Sequence, residues 1–417
     1  MRLKKTLFSA LLMAILVIPA GASADNLGFN TTILGQARQN QGNQNEVPLN
    51  GYLGLAYERP AWNLSAETDM RFFRDMARSW DDYDLYQAVV HIKPSDLIQI
   101  DFGRQFLSQG FSTDLVDGLK LTLRPPWPVE FVTYTGIPRT VERGDFNKND
   151  GLLSGVSIRF KDILRTSIQL HTAWRKANIR IGNARANDEV LVGADASYLF
   201  KGSWKPLLYG LAEFNATGKI VETGTAGLDI YPRDWAAFNV EFNYFDVDRN
   251  FNRPSILGLF AQGRILSGRI GSTWTLIPDT LTLEQSYSFQ NIEVISGTRS
   301  NGHLLEVSLP VTLEKIRLSF SPGYYFSKSF GGDLHGVRLS AYEQFTDKFY
   351  AEAGVDYTTY NKVTGVNDDA FASGLWTGYE VLKGLTLSGG VEYNKNNQLG
   401  RDVRGSFKLQ YNYGFKI

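Results

Sequence analysis

The chain has 417 residues, 43 Lys and Arg against 43 Asp and Glu, no Cys, 40 Gly and 13% aromatic residues. Balanced charge without a basic excess argues against nucleic-acid binding, and the lack of Cys excludes zinc ribbons, thiol catalysis, disulfide scaffolds and CxxCH haem attachment in this chain. An ordinary apolar fraction of 43% excludes disorder through low hydrophobicity.

Residues 1–24 carry Arg2, Lys4 and Lys5, an uncharged apolar run from Leu7 to Ile18, and then Ala22-Ser23-Ala24. This is the pattern of a secretory signal peptide, too short for a spanning helix and followed by Pro19 and Gly21. A processed chain starting at Asp25 is expected to form one domain, 25–417, with its first strand near Leu27.

Strict alternation follows, one face apolar and the other polar, which is the period of a strand. Leu64, Ala66, Met70 and Phe72 oppose Ser65, Glu67, Asp69 and Arg71; Phe238, Val240 and Phe242 oppose Asn239, Glu241 and Asn243. Farther on, Phe349, Val355 and Tyr357 oppose Glu352 and Asp356, and Val403, Phe407, Leu409 and Tyr411 oppose Arg404, Ser406, Lys408 and Gln410. Turn signals stand near Arg59, Pro94, Pro126, Asp162, Gly202, Pro232, Pro278, Glu314, Asp347 and Lys383, at intervals averaging about 36 residues.

Longer polar segments fall between the turns, among them Gln39 to Pro48, Arg74 to Asp81, Pro138 to Asp150, Lys176 to Asp188, Val247 to Gln262, Asn291 to Asn301, Asn361 to Asp369 and Lys395 to Asp402. One turn, one loop and two strands of membrane length account for the period. The pattern predicts an all-β fold, a transmembrane antiparallel up-and-down β-barrel with short periplasmic turns and longer extracellular loops. Ten turns give about 22 strands; 20 to 22 is the expected range, and 18 is tolerated. A soluble propeller needs four short strands per repeat. Rings at strand ends, including Tyr86, Trp174, Trp235, Trp274, Tyr324 with Tyr325, and Trp376, are expected at the membrane interfaces.

The chain resembles a Gram-negative outer-membrane porin. Gly103-Arg104-Gln105 followed by Asp117-Gly118 is similar to a hairpin of substrate-specific and alginate-export-type porins, and the alternating Tyr411, Tyr413 and Phe415 resemble the terminal signal read by the outer-membrane assembly machinery, although the chain ends on Ile417. The resemblance implies a place in the outer membrane and contact with its lipid. It is compatible with a homo-oligomer. No enzyme is expected, because the outer-membrane barrels that carry Ser-His-Asp catalysis are usually much smaller.

Strand parity predicts an inner face carrying Glu67, Asp69, Asp101, Asp195, Asp229, Glu241, Glu284, Glu306, Glu352, Asp356 and Glu392, with Arg71, Lys93, Lys120, Arg159, Arg165, Arg175, Arg269, Arg317, Arg338, Arg404 and Lys408. A lining of both signs predicts weak ion selectivity. Arg104 and Asp117 are expected to pair across their hairpin. Parity puts them with outward residues, so they sit at the rim, unless a bulge turns them into the lumen.

His91, His171, His303 and His335 lack metal-site spacing. The segments opening at Asp145 and Asp246 look like calcium loops without the closing Glu. No metal or other cofactor is expected. The leading function is a channel for small hydrophilic solutes or ions. The alternative is a barrel sheathing a periplasmic multihaem cytochrome in a porin–cytochrome conduit, since barrels of 22 strands are normally plugged; a third reading is export of polysaccharide or another specific cargo.

Overall fold

In the computed structural model the described residues are 25–39, 45–77, 80–109, 112–139, 151–176, 180–181, 184–185, 188–246, 264–295, 298–329, 332–362, 367–396 and 400–416. The proposed leader 1–24, residues 145–150 and the whole segment from Val247 to Gln262 lie outside them.

Twenty-two long antiparallel strands close into one barrel, the upper figure of the expected range. They are β1 Asn26–Gln39, β2 Pro48–Arg59, β3 Leu64–Asp75, β4 Trp80–Ser95, β5 Ile98–Gln109, β6 Ser112–Leu123, β7 Val129–Arg139, β8 Leu152–Ile163, β9 Thr166–Lys176, β10 Glu189–Leu199 and β11 Leu207–Asn215. The second half comprises β12 Ile220–Arg233, β13 Ala236–Asp246, β14 Arg264–Ile277, β15 Leu281–Ile295, β16 Thr298–Ser308, β17 Leu318–Ser329, β18 Gly332–Gln344, β19 Phe349–Lys362, β20 Asn367–Leu382, β21 Leu385–Asn396 and β22 Gly400–Lys416. Each pairs with its neighbours in the chain, and β1 closes on β22 from Asn26↔Lys416 to Ala37↔Gly405. Closure leaves no unpaired edge.

All ten turn signals fall at turns on one end of the barrel, two of them as single 3-10 turns at Pro60–Trp62 and Glu314–Ile316. Asn63 and Arg317 end those turns in the left-handed conformation. The opposite end departs from expectation. The ladder runs through much of the segment from Asn291 to Asn301, with β15 reaching Ile295 and β16 starting at Thr298, and those two Asn side chains hydrogen-bond at 2.7 Å. The segment Lys176 to Asp188 contains a small ladder of its own, Arg180–Ile181 against Ala184–Arg185. Strands of 9 to 17 residues mostly exceed the length needed to cross hydrocarbon, about 9 to 11 residues.

The two faces separate as alternation requires. Phe102 is 65% exposed while its neighbour Asp101 is 0% exposed. Leu119, Ile270, Val337, Leu375 and Val391 repeat the outward pattern on other strands. Contiguous exposed apolar surface is unfavourable in water and suits hydrocarbon. No helix among the described residues is long and apolar enough to cross a membrane, and strands do the crossing in a barrel.

The first half of the barrel holds two local irregularities of the backbone. The ladder between β3 and β4 shifts register between Asp69↔Gln87 and Met70↔Leu85, leaving Tyr86 as an extra residue. In β5, Gly103 has φ +124, and a Cβ there would lie 2.2 Å from the Ala88 carbonyl oxygen. Only glycine fits that approach.

Candidate functional site: the inner face

The inner face of the first half carries a continuous polar network. Asp101 of β5 accepts from Gln99 Nε2 at 2.8 Å, pairs with Lys120 Nζ of β6 at 2.8 Å, and lies 2.7 Å from His91 Nδ1 of β4. Arg124 links Gln99, at 3.0 Å, to Glu130 of β7, at 2.9 Å. Glu130 also pairs with Lys161 of β8 at 2.8 Å, and Arg159 of β8 donates to Gln169 of β9. One chain of contacts thus crosses six adjacent strands, which fixes side chains that would otherwise be free to move. Beside it, Arg71 pairs with Asp84 at 2.7 Å, and Gln87 donates to Glu67 at 3.1 Å.

Farther round the wall, contacts are local. Glu241 accepts from Tyr209 Oη at 3.1 Å and Asn243 Nδ2 at 2.7 Å. Ser308 donates to Glu284 at 3.1 Å, Ser286 to Glu306 at 3.4 Å, and Arg338 lies 3.9 Å from Glu306. These residues, with Arg269 and the floor at Gly271, line a pocket of about 270 Å³. Tyr325 donates to Asp356 at 2.7 Å, Arg404 pairs with Asp402 at 2.5 Å beside its ladder partner Glu392, and Arg175 pairs with Asp114 at 2.5 Å. By register, Asp69, Asp195, Asp229, Glu352 and Lys408 share this face.

Several expectations need correction. Arg165 and Arg317 lie in turns, both with positive φ, rather than on the wall; Arg317 pairs with Asp347 at 2.5 Å there. Lys93 bonds to Asp96 of the adjoining turn at 2.8 Å, and that hydrogen bond, reinforced by the ammonium charge, holds the Asp96 carboxyl below its ordinary range. Tyr325, bonded to Asp356, and Trp376, the ladder partner of Glu352, face inward instead of joining an interface girdle. Nor is the inner face polar throughout, because Leu107, Val116, Val132, Tyr134, Leu153, Ala173 and Leu191 form a buried apolar cluster on it.

Arg104 and Asp117 are ladder partners joined by two hydrogen bonds of 2.6 and 2.9 Å, and Arg139 adds a third at 2.7 Å. Arg104 is only 5% exposed. Just below them Gly103, Gly118 and Gly136 stand in one row across β5, β6 and β7. A Cβ on Gly118 or Gly136 would come within 2.6 Å of a neighbouring carbonyl oxygen. The pair therefore sits within the ladder, on close-packed backbone, and not in the loop beyond it.

No family model and no curated protein matches the chain. Among solved structures, the P pilus usher PapC translocation pore is similar over 94% of this chain and 100% of that one, at 10% identity and a TM-score of 0.53. Pseudomonas aeruginosa OccK3 (9% identity, TM-score 0.45, 94% of this chain and 96% of that one) and Acinetobacter baumannii OccAB4 (11%, 0.46, 95% and 100%) lie alongside it. The fold is that of a large, porin-like closed β-barrel.

Proposed function

We propose that the protein is an outer-membrane channel admitting small hydrophilic solutes or ions. The observation that carries this reading is the division of a fully closed ladder into an apolar outer face and an inner face bearing carboxylates, guanidinium groups and ammonium groups side by side. Burying one Leu or Phe side chain is worth about 1.5 to 3 kcal/mol, so the outer face favours lipid, whereas the inner charges need water. On this reading the ten-turn end is periplasmic, the inner-face residues named above line the pore, and the reaction is passage rather than catalysis. Export through a leader at 1–24, insertion by the assembly machinery through β22, and association of copies belong to the same proposal. Reconstitution into planar bilayers tests it: stable, weakly selective conductance is expected, and a folded protein that conducts nothing rejects it.

The strand number favours a second reading. Barrels of 16 to 18 strands already leave an aqueous channel, and those of 22 are normally filled. A partner such as a periplasmic multihaem cytochrome would then occupy the lumen. Haem absorbance retained by the barrel purified from its native membrane supports that reading; a haem-free barrel that conducts opposes it.

A further inference from the structure

Three aromatic side chains stand together on the inner face near the turn end: Tyr342 of β18, Tyr350 of β19 and Trp376 of β20. Tyr342, Glu352 and Trp376 are successive ladder partners in one row, and Tyr350 lies in the next row toward the turn. Their outward neighbours Leu339, Val355 and Leu375 are exposed on the opposite face, so the rings point into the lumen.

Two of the rings lie over glycine. A Cβ on Gly378 would come 2.3 Å from Tyr350 ring carbons, and one on Gly390 would come 2.5 Å from Trp376 Cδ2. A side chain there would hold each ring off the sheet; glycine lets it lie along the wall and turn one face to the lumen. The Tyr342 and Tyr350 rings are 5.7 Å apart at 32°, which extends the surface sideways, and Tyr342 is 40% exposed. Glu352, between Tyr342 and Trp376, is exposed and forms no hydrogen bond or ion pair with any described residue. From Tyr342 to Trp376 is two strand spacings, about 10 Å.

We propose that this shelf is a carbohydrate subsite, taking the pyranose rings of a neutral oligosaccharide. One face of a pyranose presents polarised C–H groups, which complement the electron-rich face of an aromatic ring, while its rim of hydroxyls donates to a carboxylate such as Glu352. The same geometry disfavours other ligands. A planar aromatic acid would stack but meet the charge of Glu352, and a quaternary ammonium ion is held best by rings standing around it, whereas these three share one wall. The subsite deepens the channel reading, since it needs a lumen that solutes reach.

Calorimetric titration of the full-length barrel in a sugar-free detergent, with maltohexaose and cellohexaose as probes, tests the subsite. Saturable binding of at least one hexasaccharide is expected. Trp376→Ala and Tyr342→Ala should each weaken it tenfold or more, Glu352→Gln threefold or more, and Gly390→Ala measurably by displacing Trp376. Trp376→Tyr should keep most of the affinity, and Leu375→Ala, on the outer face, all of it. No binding of either sugar to heat-modifiable, folded protein overturns the proposal, as does binding unmoved by Trp376→Ala and Tyr342→Ala, or binding of tetramethylammonium without either sugar. Titration needs no ion path, so binding without conductance counts against the channel alone, and conductance without binding counts against the subsite alone.

Discussion

Tyr209 reaches across Gly227 on the next strand and donates its phenolic hydrogen to Glu241 two strands away, at 3.1 Å. A Cβ on Gly227 would fall 2.2 Å from Tyr209 Cζ. The arrangement recurs where Tyr325 lies over Gly336 and bonds to Asp356 at 2.7 Å. In both places the missing side chain is what lets a ring tie three strands together on the inner face.

Gly227→Ala should therefore displace the Tyr209 ring and break its hydrogen bond, destabilising the barrel by about 1 to 3 kcal/mol, the usual range for overpacking. Tyr209→Phe, which keeps the ring and loses the hydroxyl, should cost about 1 kcal/mol. Gly405, with nothing within 4 Å of an added Cβ, is the control: Gly405→Ala should move stability by less than about 0.5 kcal/mol. Denaturant unfolding in detergent micelles, followed by tryptophan fluorescence, measures all three.

Asp117 lies between two guanidinium groups, Arg104 and Arg139. Removing one partner of a buried ion pair typically costs about 3 to 5 kcal/mol, because the remaining charge stays desolvated. Asp117→Ala should thus be far more damaging than Asp96→Ala in an exposed turn, and should lower the temperature at which the barrel loses its compact mobility on unboiled gels. Equal stability of the two variants would show that the triad contributes little.

Much of this fold was legible because a barrel strand writes its two faces into alternate residues. The run from Val403 to Tyr413 predicts β22, and the turn at Lys383-Gly384 predicts its preceding hairpin. What the alternation lacks is register between strands. Nothing in the sequence near Tyr209 names Gly227 as its neighbour, and nothing near Trp376 names Gly390; both relationships exist only once the ladder is aligned. Tyr86 sits at a bulge, which resets parity locally. Arg165 and Arg317 matched the parity of adjoining strands yet fell in turns, where a left-handed backbone, not alternation, sets their direction. The Arg104 and Asp117 pair was visible by counting from the hairpin tip, but its third member, Arg139, comes from another hairpin.

Asp96 offers a titration test outside the membrane span. The hydrogen bond from Lys93 depresses its carboxyl pKa in the folded protein. A depressed acid contributes its stabilisation above the unfolded-state pKa and loses it as pH falls through the folded value. Carbon-13 detected titration of labelled aspartate should place Asp96 below the ordinary aspartate range, and Lys93→Ala should return it upward. An unchanged midpoint in that variant would mean the contact does not persist in solution.

The charges around the pocket at Arg269 and Arg338 set the expected selectivity. Glu284 and Glu306 offset these two guanidinium groups on the same stretch of inner wall. If ions pass this wall, Glu284→Gln with Glu306→Gln leaves a positive field, and the reversal potential in a potassium chloride gradient should shift toward chloride. Arg269→Gln with Arg338→Gln should shift it toward potassium. The Debye length is about 10 Å at 0.1 M salt and about 3 Å at 1 M, so both shifts should shrink as salt rises. Asp101→Asn with Lys120→Gln removes one charge of each sign from a fixed network and should leave the reversal potential nearly unchanged. A response to that neutral swap as large as to the Glu pair would mean that selectivity follows wall rigidity rather than net charge. No response to any pair would mean that the ion path avoids this face.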